Sequence, residues 1–328
     1  MSTDLRAGLI GCGSLGRVHS QALADIGKMP MVAFCDVIQP AAETLAAEFD
    51  GEYATTDVDR LLSDETIGAI YICTHHDTHA DLCIRAAKAG KHIMVEKPLA
   101  LTVEECARVG RVVEETGITL MTAFKMRYYE LILKAKELIP EPLMVSMQMM
   151  DNRWADDLWA NDPVKGGGNI LSQGCHSCDL LRYVAGADPV EVYAVGGNYY
   201  TATGVPDNLC AAFKFDNGAA ASWMQGDANL QPSLSKFFMQ LFAEGVSVCM
   251  TDRLCKLVVA RKGHEPEEFS GTETGFLEEN QAFIECLEQG KPATIDHRDG
   301  LLATLMALQA INSLKSGKPE PIKAVLEG

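Results

Sequence analysis

The first part of the chain alternates short apolar runs with longer segments in which apolar residues recur at helical spacing. The apolar runs predict strands over residues 6–10, 31–35, 69–73, 92–95 and 118–122. The segments between them predict helices near 15–26, 41–49, 78–89 and 103–116, the last of which starts with a T-x-x-E capping box. Strands that are apolar throughout, each followed by a helix, indicate a parallel sheet covered on both faces.

The pattern changes after about residue 123. Residues 208–215 and 219–225 flank an Asp-Asn-Gly turn and predict a hairpin, and further short strands are expected over 237–243, 246–250 and 256–260. Predicted helices cover 170–184, 276–288 and 300–314. We therefore expect an α/β protein with a parallel-sheet domain over 1–123 and an α+β domain over 124–328, built on a large, mostly antiparallel open sheet.

Composition narrows the class of protein. The 328 residues are 47% hydrophobic and 22% charged, as in globular proteins, and the net charge of −17 opposes binding to nucleic acid. No cleavable signal is visible at the N-terminus, and the most apolar helical stretch is too short to cross a membrane. The eleven cysteines are scattered through apolar runs, which is typical of reduced thiols in a cytoplasmic protein.

A glycine-rich turn follows the first predicted strand. Gly11, Gly13 and Gly16 have G-x-G-x-x-G spacing and open a predicted helix. In a dinucleotide site these glycines permit a tight turn, close approach to a pyrophosphate and close helix packing. We expect the helix N-terminus to bind the anion with backbone amides. The other residues predicted in this cradle are Cys12, Ser14 and Leu15.

The second strand ends at Asp36, followed by Val37. A carboxylate at this position accepts hydrogen bonds from ribose hydroxyls and repels a 2′-phosphate. No arginine follows that could accommodate NADP. The prediction is therefore NAD rather than NADP.

Together with this turn, three later segments resemble the Gfo/Idh/MocA family of glucose–fructose oxidoreductase and inositol dehydrogenase relatives, over nearly the whole chain. They are AIYICTHHDTHADLCIRAAKAGKHIMVEKPLA, GGGNILSQGCHSCDLLRYVAG and FLEENQAFIECLEQGKP. The resemblance implies a Rossmann domain, then an open-sheet domain that often makes subunit contacts. It also implies a nicotinamide dinucleotide and a sugar, cyclitol or related polyol substrate. We expect a homo-oligomer, dimer or tetramer, formed through the C-terminal sheet.

The triplet Glu96-Lys97-Pro98 ends the apolar strand over 92–95. Ligands of doubly wound sheets bind beyond the carboxyl ends of strands, which places Lys97 beside the expected nicotinamide. The resemblance implies that Lys97 takes part in catalysis and contacts both cofactor and substrate, while Glu96 braces the cofactor side. The alternative interpretation is a solvated surface turn.

On the predicted helix over 170–184, Ser172, His176 and Asp179 have i, i+4 and i+7 spacing and form one polar stripe. By resemblance His176 is the general base that takes the hydroxyl proton, and Ser172 contacts substrate. The family usually has Asp where this chain has Ser172, and a neutral hydroxyl cannot stabilise an imidazolium by charge. The alternative for His176 is a histidine satisfied within the core.

The loop after the third long strand departs from the family's usual Thr-Pro-Asn. Thr74, His76 and His79 are nevertheless expected to contact the cofactor. His75 and His79 have H-x-x-x-H spacing, but the acidic residue is misplaced for a zinc-protease motif. The C-x-x-C motif within residues 175–178 lacks a second ligand pair. We expect no metal site.

Two further residues complete the predicted site. Arg127 matches a family position close to nicotinamide and substrate, and Trp159 lies in a loop that mixes aromatic and hydrogen-bonding groups, as suits a sugar. The alternative for the tryptophan is packing within the domain or at an interface.

The predicted function is therefore NAD-dependent oxidation of a secondary alcohol of a polyol, with Lys97 and His176 meeting across the nicotinamide to handle the proton. Two alternatives stay open. One is an enzyme that retains NAD and modifies glycosides by transient oxidation and elimination. The other is a non-catalytic sensor that binds dinucleotide.

Overall fold

The computed structural model describes residues 5–273 and 275–322. These residues divide into two compact units. The first unit comprises the chain up to Lys125 together with Gly275–Leu301, and the second comprises the chain from Met126 to residue 273 and from Leu302 onward.

The first unit contains a six-stranded parallel sheet in the order β3-β2-β1-β4-β5-β6. Its strands are β1 (Ala7–Ile10), β2 (Met31–Cys35), β3 (Tyr53–Thr55), β4 (Ala69–Ile72), β5 (His92–Val95) and β6 (Leu120–Thr122). Its first helices are α1 (Ser14–Ile26), α2 (Gln39–Glu48), α3 (Val58–Ser63), α4 (His79–Lys88) and α5 (Val103–Thr116). The predicted parallel sheet is confirmed, whereas β3 and α3 were not expected because both are short and only partly apolar.

The core of this unit explains why its strands are apolar on both faces. Every residue of β1, β2 and β4 is buried. One face of the sheet packs on apolar side chains of α4 and α5, such as Cys83 and Val109. The predicted capping box is confirmed: the Glu105 amide donates to Thr102 Oγ1 over 3.1 Å, and the Thr102 amide donates to Glu105 Oε2 over 3.2 Å.

The second unit contains a nine-stranded sheet in the order β14-β13-β12-β11-β7-β10-β9-β8-β15. Its strands are β7 (Met144–Asn152), β8 (Pro189–Gly197), β9 (Asn208–Phe215), β10 (Ala220–Asn229), β11 (Phe237–Ala243), β12 (Val246–Thr251), β13 (Lys256–Arg261), β14 (Glu267–Ser270) and β15 (Glu320–Pro321). The hairpin of β9 and β10 is confirmed. The sheet is mostly antiparallel, as predicted, but β7 and β10 pair in parallel.

The helices of this unit are α6 (Glu130–Leu138), α7 (Asn169–Ser172) and α8 (Gly174–Ala185). Burial alternates along β9, and α8 packs against β7 and β10 on the buried face. Exposed apolar side chains on the strands include Tyr193, Val195 and Met224. Self-association through this sheet stays a prediction.

Two helices close the described chain, α9 (Phe276–Gln289) and α10 (His297–Ser316). The expected division into 1–123 and 124–328 differs from the structure here, because Gly275–Leu301 groups with the first unit. The Lys28 ammonium donates to Glu288 over 3.0 Å, and the Thr122 amide donates to the Ile295 carbonyl over 3.0 Å. Helical periodicity defines an apolar face, but it does not specify which sheet that face covers.

All eleven cysteines are free thiols, and most of them are buried. Within residues 5–273 and 275–322, no helix is long and apolar enough to cross a bilayer.

Candidate active site

The candidate site begins where three neighbouring strands of the first unit end. The chain passes from β1 outward through β2 and β3, then returns to build β4, β5 and β6 on the other side of β1. The switch point of this doubly wound sheet therefore lies between the carboxyl ends of β1 and β4, where such sheets bind ligands. Gly11 follows β1, and Lys97 follows β5 at the same edge.

The glycine turn has the geometry that its sequence predicts. Gly11 has φ of +98°, and a Cβ there would lie 2.5 Å from the Cys73 carbonyl oxygen after β4. A Cβ at Gly16 would lie 2.2 Å from the Gly11 carbonyl oxygen. A Cβ at Gly13 would meet no protein atom within 4 Å. The turn is therefore closed by packing at Gly11 and Gly16, but open at Gly13.

Gly13 is also the N-cap of α1, and it makes no side-chain capping hydrogen bond to the helix. The first amides of a helix lack partners within the helix and carry partial positive charge. Ser14 and Leu15 supply two of these amides in the first turn of α1. An open cradle of this kind fits the pyrophosphate of a dinucleotide.

Asp36 directly follows β2 and faces the glycine turn. The Cys12 amide donates to Asp36 Oδ2 over 2.7 Å, and the Ile38 amide donates to Oδ1 over 2.9 Å. These bonds hold the carboxylate at the edge of the turn, where it remains partly exposed. Val37 is 93% exposed. Contacts of Asp36 and Val37 with the adenosine ribose stay predictions.

The loop after β4 holds Thr74 and His76, and His79 is the first residue of α4. Thr74 Oγ1 lies 2.6 Å from Thr78 Oγ1. His79 is fully buried, with Nδ1 2.8 Å from the Pro98 carbonyl and Nε2 3.2 Å from the Thr74 carbonyl. Burial lowers the pKa of His79, although both carbonyls oppose that change. His79 thus joins two loops of the site; contacts of Thr74, His76 and His79 with a cofactor stay predictions.

Glu96 and Lys97 are both buried, so the solvated-turn interpretation does not describe them. The Lys97 amide donates to Glu96 Oε2 over 3.1 Å, and His19 Nε2 lies 3.3 Å from Glu96 Oε1. Burial alone would raise the pKa of Glu96. The hydrogen bond from His19 and the charge of Lys97 outweigh burial and lower it.

Sequence reasoning missed three residues in this region: His19, Glu279 and Asn280. All three are fully buried. His19 is on α1, and the other two are on α9. In the sequence these residues appear as ordinary polar positions of amphipathic helices. That pattern does not distinguish a buried polar residue from an exposed one.

In the second unit, the predicted helix over 170–184 is interrupted. Ser172 is the last residue of α7, and Gln173 forms a turn before α8 begins. A Cβ at Gly174 would lie 2.8 Å from the Trp223 ring, so α8 starts in close contact with β10. Ser172 and His176 are both buried at this interruption.

A hydrogen-bonded network lies beneath α7 and α8. Gln225 of β10 is fully buried; its Nε2 donates to Asn169 Oδ1 over 2.7 Å, and Ser177 Oγ donates to its Oε1 over 3.0 Å. Gln225 therefore connects the start of α7 to the first turns of α8, which carry His176. Sequence reasoning missed this residue because it occupies a strand position that otherwise predicts an apolar side chain.

Arg127 and Asp179 form a buried, bidentate ion pair. Arg127 Nε donates to Asp179 Oδ2 over 2.9 Å, and Nη2 donates to Oδ1 over 2.5 Å. The guanidinium also lies 5.2 Å from the Tyr183 ring. The structure thus gives Arg127 a partner on α8, and its predicted contacts with cofactor and substrate stay predictions.

Trp159 opens a short 3₁₀ helix, Trp159–Asn161, and is partly buried. The loop before it is fixed by the Trp154 amide, which donates to Asp227 over 2.9 Å. A role for Trp159 in binding substrate stays a prediction.

Within the described residues, no three His, Cys, Asp or Glu side chains are grouped so that they could hold a metal ion. Cys175 and Cys178 are buried, and burial raises the pKa of Cys178 well above its usual value. A thiol in that environment is inert.

Comparisons with known proteins agree with this geometry. Residues 5–124 match a family described as oxidoreductases with an NAD-binding Rossmann fold, and residues 133–232 match the GFO/IDH/MocA C-terminal domain. The fold and the glycine turn define a Rossmann-type NAD(P)-dependent oxidoreductase. The chain belongs to the Gfo/Idh/MocA family.

Individual relatives place the chain within this family. YrbE of Bacillus subtilis, an uncharacterised oxidoreductase, is 30% identical over 227 residues, which are 67% of each chain. Inositol 2-dehydrogenase of Rhizobium meliloti is 27% identical over 353 aligned positions, covering 94% of this chain and 97% of the relative. A structure of levoglucosan dehydrogenase with NADH and levoglucosan has the same fold, with a TM-score of 0.89, 23% identity and coverage of 97% and 99%.

The glycine turn generates a paired prediction. Gly13→Ala adds a methyl group in open space, so the protein should keep its thermal stability but bind NAD at least about tenfold more weakly, because the methyl occupies the anion's cradle. Gly16→Ala adds the same group against the Gly11 carbonyl and should lower stability by about 1–3 kcal/mol. Thermal unfolding and calorimetric titration with NAD separate the two effects. Unchanged NAD affinity in Gly13→Ala would contradict the assignment of the cradle.

Glu279 generates a prediction about pH. Both carboxyl oxygens are buried without a hydrogen-bond partner among the described residues, and burial, together with the nearby charge of Glu96, raises the pKa well above 4.5. A raised pKa means that the folded state binds this proton more tightly than the unfolded state does. The contribution of the proton to the free energy of unfolding is therefore complete below pH 4.5 and declines as the pH rises toward the pKa of the folded state.

The free energy of unfolding of Glu279→Gln should therefore increase relative to that of the parent as the pH rises above about 5. The expected slope is up to about 1.4 kcal/mol per pH unit. Denaturant unfolding at several pH values measures the difference. Glu285→Gln, an exposed position on the same helix, is the control and should show no such trend. Parallel stability curves for parent and Glu279→Gln would show that the carboxyl is ionised in the folded state.

Proposed function

We propose that the protein is an NAD-dependent dehydrogenase that oxidises a secondary alcohol of a sugar, cyclitol or related polyol. The observation that carries the proposal is the position of Lys97. It is buried directly after β5, at the sheet edge that also carries the open glycine turn and Asp36. A buried lysine at the ligand-binding edge of a dinucleotide fold is suited to chemistry rather than to solubility.

Lys97 and His176 are proposed to handle the proton of the substrate hydroxyl. NAD, when bound, accepts hydride from the carbinol carbon. The Lys97 ammonium polarises the hydroxyl oxygen and stabilises negative charge that develops on it. His176 acts as the general base that takes the hydroxyl proton, a role that typically contributes about 10²–10⁴ in rate. Both side chains are buried, which strengthens these interactions.

The substrate class is supported by the relatives and by the residues near His176. Inositol 2-dehydrogenase and levoglucosan dehydrogenase are named for polyhydroxylated substrates. Ser172 provides a hydroxyl at the interruption between α7 and α8, and Trp159 provides an aromatic face. We propose that these two residues and Arg127 contact the substrate, since hydrogen-bonding groups beside an aromatic ring suit a sugar.

Lys97→Ala tests the proposed chemistry. Assayed by NADH absorbance with the best substrate from a panel of sugars, cyclitols and glycosides, it should lower kcat by about 10²–10⁴. Near-parental turnover in Lys97→Ala would refute the assignment. A product formed without accumulation of free NADH would instead support transient oxidation with retained NAD.

We propose NAD rather than NADP as the preferred cofactor. Family membership does not decide this, because relatives are named for either cofactor: scyllo-inositol 2-dehydrogenase (NAD(+)) of Bacillus subtilis and D-xylose 1-dehydrogenase (NADP(+)) 2 of Haloferax volcanii. The support comes from Asp36, a carboxylate fixed by two amides, with apolar Val37 and Ile38 next to it. A fixed negative charge repels the 2′-phosphate.

Asp36→Ser should raise the ratio of kcat/KM for NADP to that for NAD by at least about tenfold, because the repulsion is removed while a hydroxyl remains for the ribose. Initial rates with both cofactors measure the ratio. Asp25→Ser, which removes a charge near the distal end of α1, is the control and should leave the ratio unchanged. An unchanged ratio in Asp36→Ser would contradict the role given to this carboxylate.

A further inference from the structure

A chain of hydrogen bonds connects α9 to the strand end that carries Lys97. Asn280 Nδ2 lies 2.9 Å from His19 Nδ1, His19 Nε2 lies 3.3 Å from Glu96 Oε1, and the Lys97 amide donates to Glu96 Oε2 over 3.1 Å. Asn280 and His19 are fully buried, and Glu96 is 4% exposed. Every link of the chain is therefore shielded from water.

The Asn280 amide determines which nitrogen of His19 carries the proton. Its Nδ2 also lies 2.7 Å from the Phe276 carbonyl, which can only accept. The amide is thus oriented with its NH₂ group toward both Phe276 and His19. Asn280 Oδ1 is farther from His19 Nδ1, at 3.4 Å, than Nδ2 is. One hydrogen of the NH₂ group therefore goes to the carbonyl and the other to His19 Nδ1, so Nδ1 is an acceptor. Neutral His19 must then carry its proton on Nε2 and donate it to Glu96.

The ring of His19 is fixed by packing as well. It lies 5.4 Å from the Tyr71 ring and 5.6 Å from the Phe276 ring, at angles of 55° and 89°. Two aromatic neighbours and two hydrogen bonds leave the imidazole a single orientation. His19 also belongs to α1, the helix that begins at the glycine turn. The helix α1 therefore begins at the glycine turn and also carries the imidazole that contacts Glu96.

The hydrogen bond from His19 to Glu96 matters because of the titratable groups that surround this carboxylate. The titratable residues that interact electrostatically with Glu96 are His19 on α1, Cys73 after β4, His79 on α4, Lys97 after β5 and Glu279 on α9. A buried carboxylate loses its hydration and needs hydrogen bonds from the protein to compensate for that loss. The His19 imidazole and the Lys97 amide both contact the Glu96 carboxylate within hydrogen-bonding distance.

We propose that Asn280 and His19 are positioning residues for Lys97: they hold Glu96 as the acceptor that fixes the Lys97 backbone at the end of β5. This inference rests on the proposed function in one respect, namely that Lys97 acts in the reaction. Displacement of a reacting group by about 1 Å can cost about 10² in rate, so loss of this chain should lower kcat.

The direct test is nitrogen NMR on protein labelled at histidine. His19 should show a protonated Nε2 and an unprotonated Nδ1 in the parent, with signals assigned by comparison with His19→Phe. A His19 protonated on Nδ1, or on both nitrogens, would overturn the inference. This readout needs neither substrate nor activity.

Two substitutions extend the test to catalysis. His19→Phe keeps an aromatic ring between Tyr71 and Phe276 but removes both nitrogens; we expect kcat to fall about 10- to 100-fold with the KM for NAD changed less than about twofold. Asn280→Asp keeps size but replaces the donor by a carboxylate, which favours a proton on Nδ1. It should lower kcat and shift the pH profile of kcat/KM, which a purely structural role would not do.

His19→Gln is the conservative rescue, because its amide can donate to Glu96, and it should recover part of the kcat lost in His19→Phe. The matched control is His92→Phe, at the opposite end of β5, where the ring accepts the Thr119 amide over 3.0 Å. This control should keep parental kcat.

Comparison with Lys97→Ala separates the two proposals. If Lys97→Ala is inactive while His19→Phe and Asn280→Asp keep parental kcat and pH profile, the positioning inference fails and the proposed function stands. If Lys97→Ala keeps its turnover, the proposed function fails. In that case the NMR result alone decides whether the Asn280–His19–Glu96 chain exists.

Discussion

The first unit depends on keeping a buried carboxylate where an apolar strand ends. Glu96 follows four residues of β5 and is 4% exposed, so almost no water offsets its charge. Isolated burial of a carboxylate costs several kcal/mol, which exceeds a large part of a domain's net stability. The neighbouring residues compensate: His19 donates from α1, the Lys97 amide donates from the chain itself, and the Lys97 charge is adjacent.

Glu279 shows the opposite solution to the same constraint. It is equally buried, but the described residues offer its carboxyl oxygens no donor, and its pKa is raised. Two carboxyls in one interior cannot both ionise cheaply, because each charge raises the cost of the other. The two pKa values are therefore driven apart: that of Glu96, which has donors, is lowered, and that of Glu279, which has none among the described residues, is raised.

The sequence predicted what local patterns determine. Apolar runs located five of the six parallel strands, glycine spacing located the turn, and the capping box of α5 was found at its two residues. Features that depend on long-range contacts were not predictable in this way. The return of Gly275–Leu301 to the first unit brings Asn280 to His19, and no periodicity within α9 encodes that contact. The interruption at Gln173 was also missed, because the close approach of Gly174 to Trp223 is a long-range contact that helical periodicity does not encode.

The substitution of Ser172 for the family's usual aspartate is not offset by the other acidic residue of the predicted stripe. Asp179 lies one turn beyond His176, but both of its oxygens accept hydrogen bonds from Arg127. A carboxylate balanced by a bidentate guanidinium exerts little net field on a neighbouring imidazole. Arg127 therefore offsets the charge of Asp179, the acidic residue of the predicted stripe. Under the proposed function, stabilisation of the developing alkoxide then depends more strongly on the Lys97 ammonium. The reaction rate is therefore expected to be sensitive to the orientation of Lys97.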